Sequence, residues 1–229
     1  MANSSTHKLV LASLAALLMF LAVPGWATQV LVYSQSPDYN SLYASQNDPT
    51  GGFGAFAQAY DNFKLGSSTT ITQVDWIGGY YNPQTQGAIT SWSVGFYANN
   101  AGQPGSLLAS YSISGNAGES SLGVDNLGDP VYGYTAQSLN FSAAAGTTYW
   151  LSVVPTVGFP PQWGWTSSSQ GDGVAWQSYF GTGSQIPTDL AFSLYMTQQV
   201  VGTPEPGSLM LLGTGIVGIA GAIRRKLAA

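Results

Sequence analysis

Aromatic side chains near polar residues are the part of this chain best suited to recognition chemistry. Trp163 and Trp165 stand two residues apart after a proline-rich turn, and Tyr80 and Tyr81 lie in a separate candidate loop. Flat aromatic faces stack on sugar rings while Asp, Asn and Gln bond the sugar hydroxyls. The pattern therefore indicates a glycan-contact surface made of these four side chains. Core packing of the same side chains is the alternative interpretation.

Carboxylates in two candidate loops could form a second kind of site, for calcium. Asp125, Asn126 and Asp129 stand close together, and Asp172 lies between two glycines. Calcium prefers such carboxylate and carbonyl oxygens in extracellular proteins. However, the chain has no D-x-[DN]-x-[DN]-G loop, and Asp and Asn are ordinary turn formers. We expect no cofactor, with a structural calcium ion as the alternative.

The residues that this chain lacks exclude most catalytic chemistry. It has no cysteine, and its one histidine is His7, close to the N-terminus. The body cannot build a Ser-His-Asp or Cys-His triad, a His-ligated zinc or copper site, or an iron–sulfur site. A glycan hydrolase that uses two carboxylates is the enzyme class left open. Because no sequence feature pairs two acids, we expect a protein that is not an enzyme.

The charge balance excludes nucleic acid as a partner. Residues 28–201 contain nine acidic side chains and one basic side chain, Lys64, which gives a net charge of −8. A chain this acidic has no electrostatic means of holding nucleic acid or an anionic membrane surface.

The N-terminal segment has the three parts of a secretory signal peptide. Lys8 gives the basic start, residues 9–23 form the apolar core, and small residues close the segment. This order predicts a signal peptide over residues 1–27, cleaved between Ala27 and Thr28. His7 would leave with it.

The C-terminal segment combines a proline motif, an apolar stretch and a basic cluster. In order, these are Pro204, Glu205 and Pro206, then residues 207–223 without a charge, then Arg224, Arg225 and Lys226. A helix over the apolar stretch would be roughly 25 Å long, at the short end of what crosses a bilayer. The basic cluster would stay cytoplasmic, and the prolines would hold the motif extended for a protease. A permanent anchor is the alternative.

This order of motif, apolar stretch and basic end resembles the PEP-CTERM sorting signal of exported bacterial proteins. The resemblance implies recognition by an exosortase, a membrane protease-transferase that cuts near the Pro-Glu-Pro motif. It also implies a stay at the inner membrane with the body outside the cytoplasm, followed by transfer to the cell surface or the extracellular space. Residues 61–194 resemble, more diffusely, the β-sandwich body that recurs in such proteins.

Hydrophobic periodicity indicates strands throughout the body. Residues 89–98 and 147–154 alternate between apolar and polar side chains, which is typical of half-buried strands. Polar or glycine-rich stretches at residues 34–54, 78–87 and 115–126 are expected to be loops. Some ten short strands without helices predict an all-β, antiparallel β-sandwich of jelly-roll type.

Three segments follow from these patterns. They are a signal peptide at residues 1–27, a β-sandwich domain at 28–201, and a sorting signal with a transmembrane helix at 202–229. The leading hypothesis is an exported, non-enzymatic surface or extracellular-matrix protein, for which the resemblance implies a setting at the outer surface or in the exopolysaccharide layer. The alternatives are a carbohydrate-binding module and, less favoured, a glycan hydrolase that uses two carboxylates.

Overall fold

The computed structural model describes residues 26–200 and 206–227, which form seventeen strands and one helix. The strands are β1 (Trp26–Gln35), β2 (Pro37–Ala44), β3 (Gln46–Asp48), β4 (Gly54–Lys64), β5 (Thr69–Ile71), β6 (Gln73–Tyr81), β7 (Ser91–Asn100), β8 (Gln103–Ser114), β9 (Ser120–Val124), β10 (Pro130–Ala136), β11 (Phe141–Ala143), β12 (Thr148–Thr156), β13 (Gln162–Ser168), β14 (Ala175–Tyr179), β15 (Thr182–Ile186), β16 (Asp189–Leu190) and β17 (Phe192–Val200). The helix is α1 (Pro206–Leu227). Residues from Gln29 to Thr197 form one compact unit, and α1 belongs to another.

Two large sheets and one small sheet contain the strands. The eight-stranded sheet has the order β1-β17-β6-β10-β9, with β13 pairing β6, β2 and β16. The seven-stranded sheet has the order β15-β14-β4-β3-β12-β7-β8, and β5 pairs with β11 separately. Strands dominate the structure, which confirms the all-β prediction. Since the sheets are not closed, the fold fits a β-sandwich. The jelly-roll connectivity stays a prediction.

Aromatic rings from both large sheets meet in the core. Trp76 on β6 and Trp163 on β13 belong to the eight-stranded sheet, and Trp92 on β7 belongs to the seven-stranded sheet. The ring centroid of Trp92 lies 4.9 Å from that of Trp76 and 4.9 Å from that of Trp163. All three side chains are buried. Since large aromatic side chains bury much apolar area, this contact contributes strongly to holding the two sheets together.

Strand β7 follows its sequence pattern closely. Trp92, Val94 and Phe96 are buried, whereas Ser93 between them is exposed. Successive side chains of a strand point to opposite faces, so this alternation places one face in the core and the other in solvent. The alternation predicted for residues 89–98 is thus observed, with Trp92 on the buried face.

Three predicted loops contain strands. β2 and β3 lie within residues 34–54, the end of β6 lies within residues 78–87, and β9 lies within residues 115–126. β2 is held by its pairing with β13, from Gly164 opposite Ala44 to Ser168 opposite Pro37. Its residues are mostly polar or small, so tertiary pairing outweighs local preference there. The loop predictions were wrong at these positions.

The predicted signal peptide lies almost wholly outside the described residues. Ala27 and Thr28, which flank the predicted cleavage site, are exposed residues of β1. Residues 1–25 are not described, so the signal peptide and its cleavage stay predictions.

Candidate functional site

The predicted glycan-contact surface is not formed. Trp163 and Trp165 are 0% exposed, and Tyr80 is also 0% exposed, so none of the three offers a ring face to a ligand. Tyr81 is half-buried. Both tyrosines belong to strand β6 and not to a loop. The interpretation as core packing is therefore correct for Trp163, Trp165 and Tyr80. The two tryptophans lie on β13, which is buried along its whole length.

Hydrogen bonds explain how the polar ends of these aromatic side chains tolerate burial. Trp163 Nε1 donates to the Tyr134 hydroxyl at 3.1 Å, and that hydroxyl donates to Glu119 Oε1 at 2.8 Å. The Tyr80 hydroxyl donates to the same carboxylate oxygen. Burial, together with the Glu119 carboxylate, raises the pKa of Tyr80, so its hydroxyl stays a donor. Buried polar groups with partners are structural, and this network needs no ligand.

The acids of the candidate calcium loop cap a turn. Asp125 Oδ1 accepts hydrogen bonds from the backbone N–H groups of Leu127 at 2.8 Å and Asp129 at 2.9 Å. The Asp125 N–H donates to the Asp129 carbonyl oxygen at 2.9 Å. Such contacts are the usual role of Asp in turns. Within residues 26–200 and 206–227, no group of three acids, histidines or cysteines could hold a metal ion.

Asp172, the other calcium candidate, lies beside two further acids. Its carboxylate accepts from Asn62 Nδ2 at 3.1 Å, and Asp189 Oδ2 accepts from the Gly173 N–H at 2.8 Å. Asp61 is completely buried, and its Oδ2 accepts from the Leu190 N–H at 2.5 Å. Burial raises the pKa of Asp61 well above its usual range, and the negative charge of Asp189 adds to the effect. Ionised Asp61 is therefore a cost to the folded state at neutral pH.

We expect the contribution of Asp61 to the stability of the fold to fall as pH rises above the usual pKa of an aspartate carboxyl, about 4. An acid whose pKa is raised by folding stabilises the protein below its unfolded pKa, and this contribution is lost as pH passes the folded value. Burial also raises the pKa of Asp189, which acts in the same direction. Asp61→Asn should flatten the dependence because residue 61 then no longer ionises. Thermal unfolding of both proteins at increasing pH measures it, and a wild type that gains stability relative to Asp61→Asn as pH rises would contradict it.

Helix α1 contains most of the predicted sorting segment. It begins at Pro206 and has Arg224, Arg225 and Lys226 in its last turn. Proline suits a first helical turn, and positive charges stabilise the C-terminal end of a helix dipole. Residues 213–227 are exposed, and added Cβ atoms at Gly215, Gly218 and Gly221 would meet no atom within 4 Å. The prediction of a helix is confirmed. Pro204 and Glu205 lie outside the described residues.

Among the helices of residues 26–200 and 206–227, none is both long enough and apolar enough to cross a membrane.

Sequence reasoning missed an open groove on the eight-stranded sheet. The groove has a volume of about 290 Å³ and is lined by β1, β17, β6, β10 and β9. Asp75 on β6 contributes the carboxylate among its described lining residues, and Ser34, Ser193 and Thr135 contribute hydroxyls. Alternation in β6 gave a signal, because Asp75 falls between Val74 and Trp76, which are buried. The neighbouring strands could not be aligned without the fold.

The comparisons with known proteins concern the C-terminal segment. The family model of the PEP-CTERM protein-sorting motif matches residues 203–226. No curated protein matches the chain. The matched residues include the proline motif, the apolar stretch and the basic cluster. Signals of this kind are processed by exosortase, and they imply an exported protein that is processed at the membrane. The chain therefore carries a PEP-CTERM protein-sorting motif at residues 203–226 and has a β-rich body.

Proposed function

We propose that this chain is an exported, non-enzymatic surface or extracellular-matrix protein. Its C-terminal segment holds it at the inner membrane with the body outside the cytoplasm. An exosortase-type membrane protease then cuts near Pro204, Glu205 and Pro206 and transfers the body towards the cell surface. The match of the sorting motif to residues 203–226 is the observation that carries this proposal.

The arrangement of charges supports the proposed orientation. Residues 207–223 have no charge, and Arg224, Arg225 and Lys226 follow them directly. Basic clusters beside apolar segments stay on the cytoplasmic side of bacterial membranes. The motif at the other end of the segment would then lie at the outer face, within reach of a membrane-embedded protease. Pro204 and Pro206 restrict their own φ angles and favour extended conformations in the residues before them, which leaves the backbone accessible.

The inventory of reactive side chains supports a role without catalysis. Residues 28–201 contain neither histidine nor cysteine. A glycosidase would need two carboxyl groups facing each other across a cleft, at roughly 5–9 Å. Of the described residues that line the groove, Asp75 alone has a carboxylate. The body is therefore better suited to binding or to forming a matrix, and its proposed setting is the exopolysaccharide layer.

Replacing Arg224, Arg225 and Lys226 by alanine tests the proposed orientation. Without the basic cluster, nothing stops the segment from passing through the membrane, so most of the protein should leave the cell with its tail uncut. Fractionation followed by detection with an antibody against the body measures the processed and unprocessed forms. The control is Lys64→Ala, which removes a basic residue from the body. Equal processing of both variants would contradict the proposed role of the cluster.

A further inference from the structure

Four polar side chains form a row across the groove of the eight-stranded sheet. Strand pairing places Ser193 on β17 and Thr135 on β10 on either side of Asp75 on β6. Ser34 on β1 extends the row, because its Oγ lies 2.9 Å from Ser193 Oγ. With neighbouring strands ~4.8 Å apart, the row is roughly 14 Å long. A row of this length can contact an extended chain molecule at several points.

The chemistry of this row fits a ligand rich in hydroxyl groups. Serine and threonine hydroxyls both donate and accept hydrogen bonds, as sugar hydroxyls do, and the Asp75 carboxylate is a strong acceptor. Tyr195, half-buried, lies at the edge of the groove and adds an aromatic surface. Burial, the negative charge of Asp75 and a hydrogen bond to that carboxylate raise the pKa of Tyr195, so its hydroxyl stays protonated beside Asp75.

The charge of the groove restricts the ligand to a neutral one. Its described lining residues include Asp75 but no lysine, arginine or histidine. The surrounding body has a net charge of −8 over residues 28–201. An anionic polymer such as a uronic-acid glycan or a nucleic acid would be repelled. A single carboxylate is also too little negative charge for a polycation.

Gln73, next to the row on β6, holds the Asp75 carboxylate by a hydrogen bond. Gln73 on β6 is 8% exposed, and its Nε2 donates to Asp75 Oδ1 at 2.9 Å. Its Oε1 is buried without a hydrogen-bond partner among the described residues. The Gln73 amide therefore helps to orient the Asp75 carboxylate in the row.

Gly133 lines the groove on β10, two residues before Thr135. It lies on β10 opposite Ile77, and the pairing of β10 with β9 places it opposite Ser120. An added Cβ would meet Ser120 Oγ at 3.5 Å and Leu122 Cδ1 at 3.6 Å, which are ordinary contacts. A methyl group thus fits without strain, whereas a larger side chain would fill the space in front of the row.

We propose that this groove binds a neutral glycan chain along the row of Ser34, Ser193, Asp75 and Thr135. The inference rests on the proposed function for its extracellular setting, where such polymers are met. The proposed contact surface is this polar sheet face, and not the buried Trp163, Trp165 and Tyr80 that the sequence suggested.

The test is affinity electrophoresis of the full chain in mild detergent, in native gels that contain dextran, galactomannan or hydroxyethyl cellulose. At least one neutral polymer should retard the wild type, and added salt should not abolish the retardation, since no charge pairing is involved. Alginate, an acidic polymer, should have no effect. Absence of retardation by all three neutral polymers, or retardation by alginate alone, would overturn the proposal.

Matched variants locate the site. Ser34→Ala with Ser193→Ala should weaken binding about tenfold, because hydrogen bonds to the ligand are lost. The control is Ser93→Ala with Ser110→Ala, a similar serine pair on the seven-stranded sheet, where the two Oγ atoms are 3.5 Å apart. The control pair should bind like the wild type. An equal loss of binding in both double variants, or no loss in either of them, would refute the groove as the binding site.

Two further variants keep the test decisive if the serine pair fails to fold. Gly133→Thr should block binding by filling the groove. Asp75→Asn should weaken binding, because it keeps the shape of the groove but removes the charged acceptor. Unchanged binding in both variants would overturn the proposal. If the groove does not bind glycan, the sorting proposal is unaffected. Sorting is tested by processing of the C-terminal segment, which is measured separately from glycan binding.

Discussion

Trp163→Ala is expected to lower the free energy of unfolding by about 3–5 kcal/mol, the usual cost of deleting a large buried aromatic side chain. The side chain is completely buried and packs against Trp92, with ring centroids 4.9 Å apart. An added Cβ at Gly78 would lie only 2.1 Å from Trp163 Cζ2, which shows how tightly the indole is enclosed. Little space exists for the surrounding chain to close the cavity, so the upper part of the range is expected.

The substitution also removes a donor from the buried network. The Tyr134 hydroxyl would lose the Trp163 Nε1–H as a partner but keep its own bond to Glu119. Loss of one such hydrogen bond adds about 1 kcal/mol at most to the cavity cost. Trp163→Phe should therefore cost clearly less than Trp163→Ala, because most of the apolar volume is retained.

Trp176→Ala is the matched control, since Trp176 on β14 is only half-buried. Its loss should cost less than half as much as that of Trp163. Urea unfolding followed by far-ultraviolet circular dichroism measures both variants. If Trp163→Ala were no more destabilising than Trp176→Ala, Trp163 would not be the core residue described here, and an exposed aromatic surface would again be a reasonable hypothesis.

The contrast between Trp92 and Trp163 shows what the sequence could and could not predict. Trp92 lies on a strand with one exposed face, so apolar and polar residues alternate and its direction follows from the pattern. Trp163 lies on β13, which is buried on both faces, so no alternation marks its environment. One of the strands that pair with β13 is β2, which is formed by residues whose sequence predicts a loop.

The groove is a second feature that could not be predicted from the sequence, because its residues meet only on the face of the folded sheet. Each of Ser34, Asp75, Thr135 and Ser193 is an ordinary polar residue in its own segment. They become neighbours through a strand order, β1-β17-β6-β10, that joins residues far apart in the chain. The sorting signal was predictable because its proline motif, apolar stretch and basic cluster are consecutive and need no tertiary structure to be recognised.

Replacing Pro204, Glu205 and Pro206 together by alanine is expected to abolish processing and leave a full-length form at the membrane. The motif lies at the start of the matched residues 203–226, and its last residue, Pro206, is the first residue of α1. Alanine is the strongest helix former, so the substitution would favour extending the helix over the cut site and hiding its backbone. Pro104→Ala in the body is the control, and it should be processed like the wild type. Normal processing of the alanine variant would contradict a role for the motif.

Mass spectrometry of the mature protein from its native host tests the central claim most directly. If residues 203–226 are a sorting signal that is removed, the surface form should end near Thr203 and lack everything after about Pro206. Peptides from residues 209–224 should then be absent from the surface form and present in the alanine variant of the motif. Finding those peptides still joined to the mature surface protein would mean that the segment is a lasting anchor.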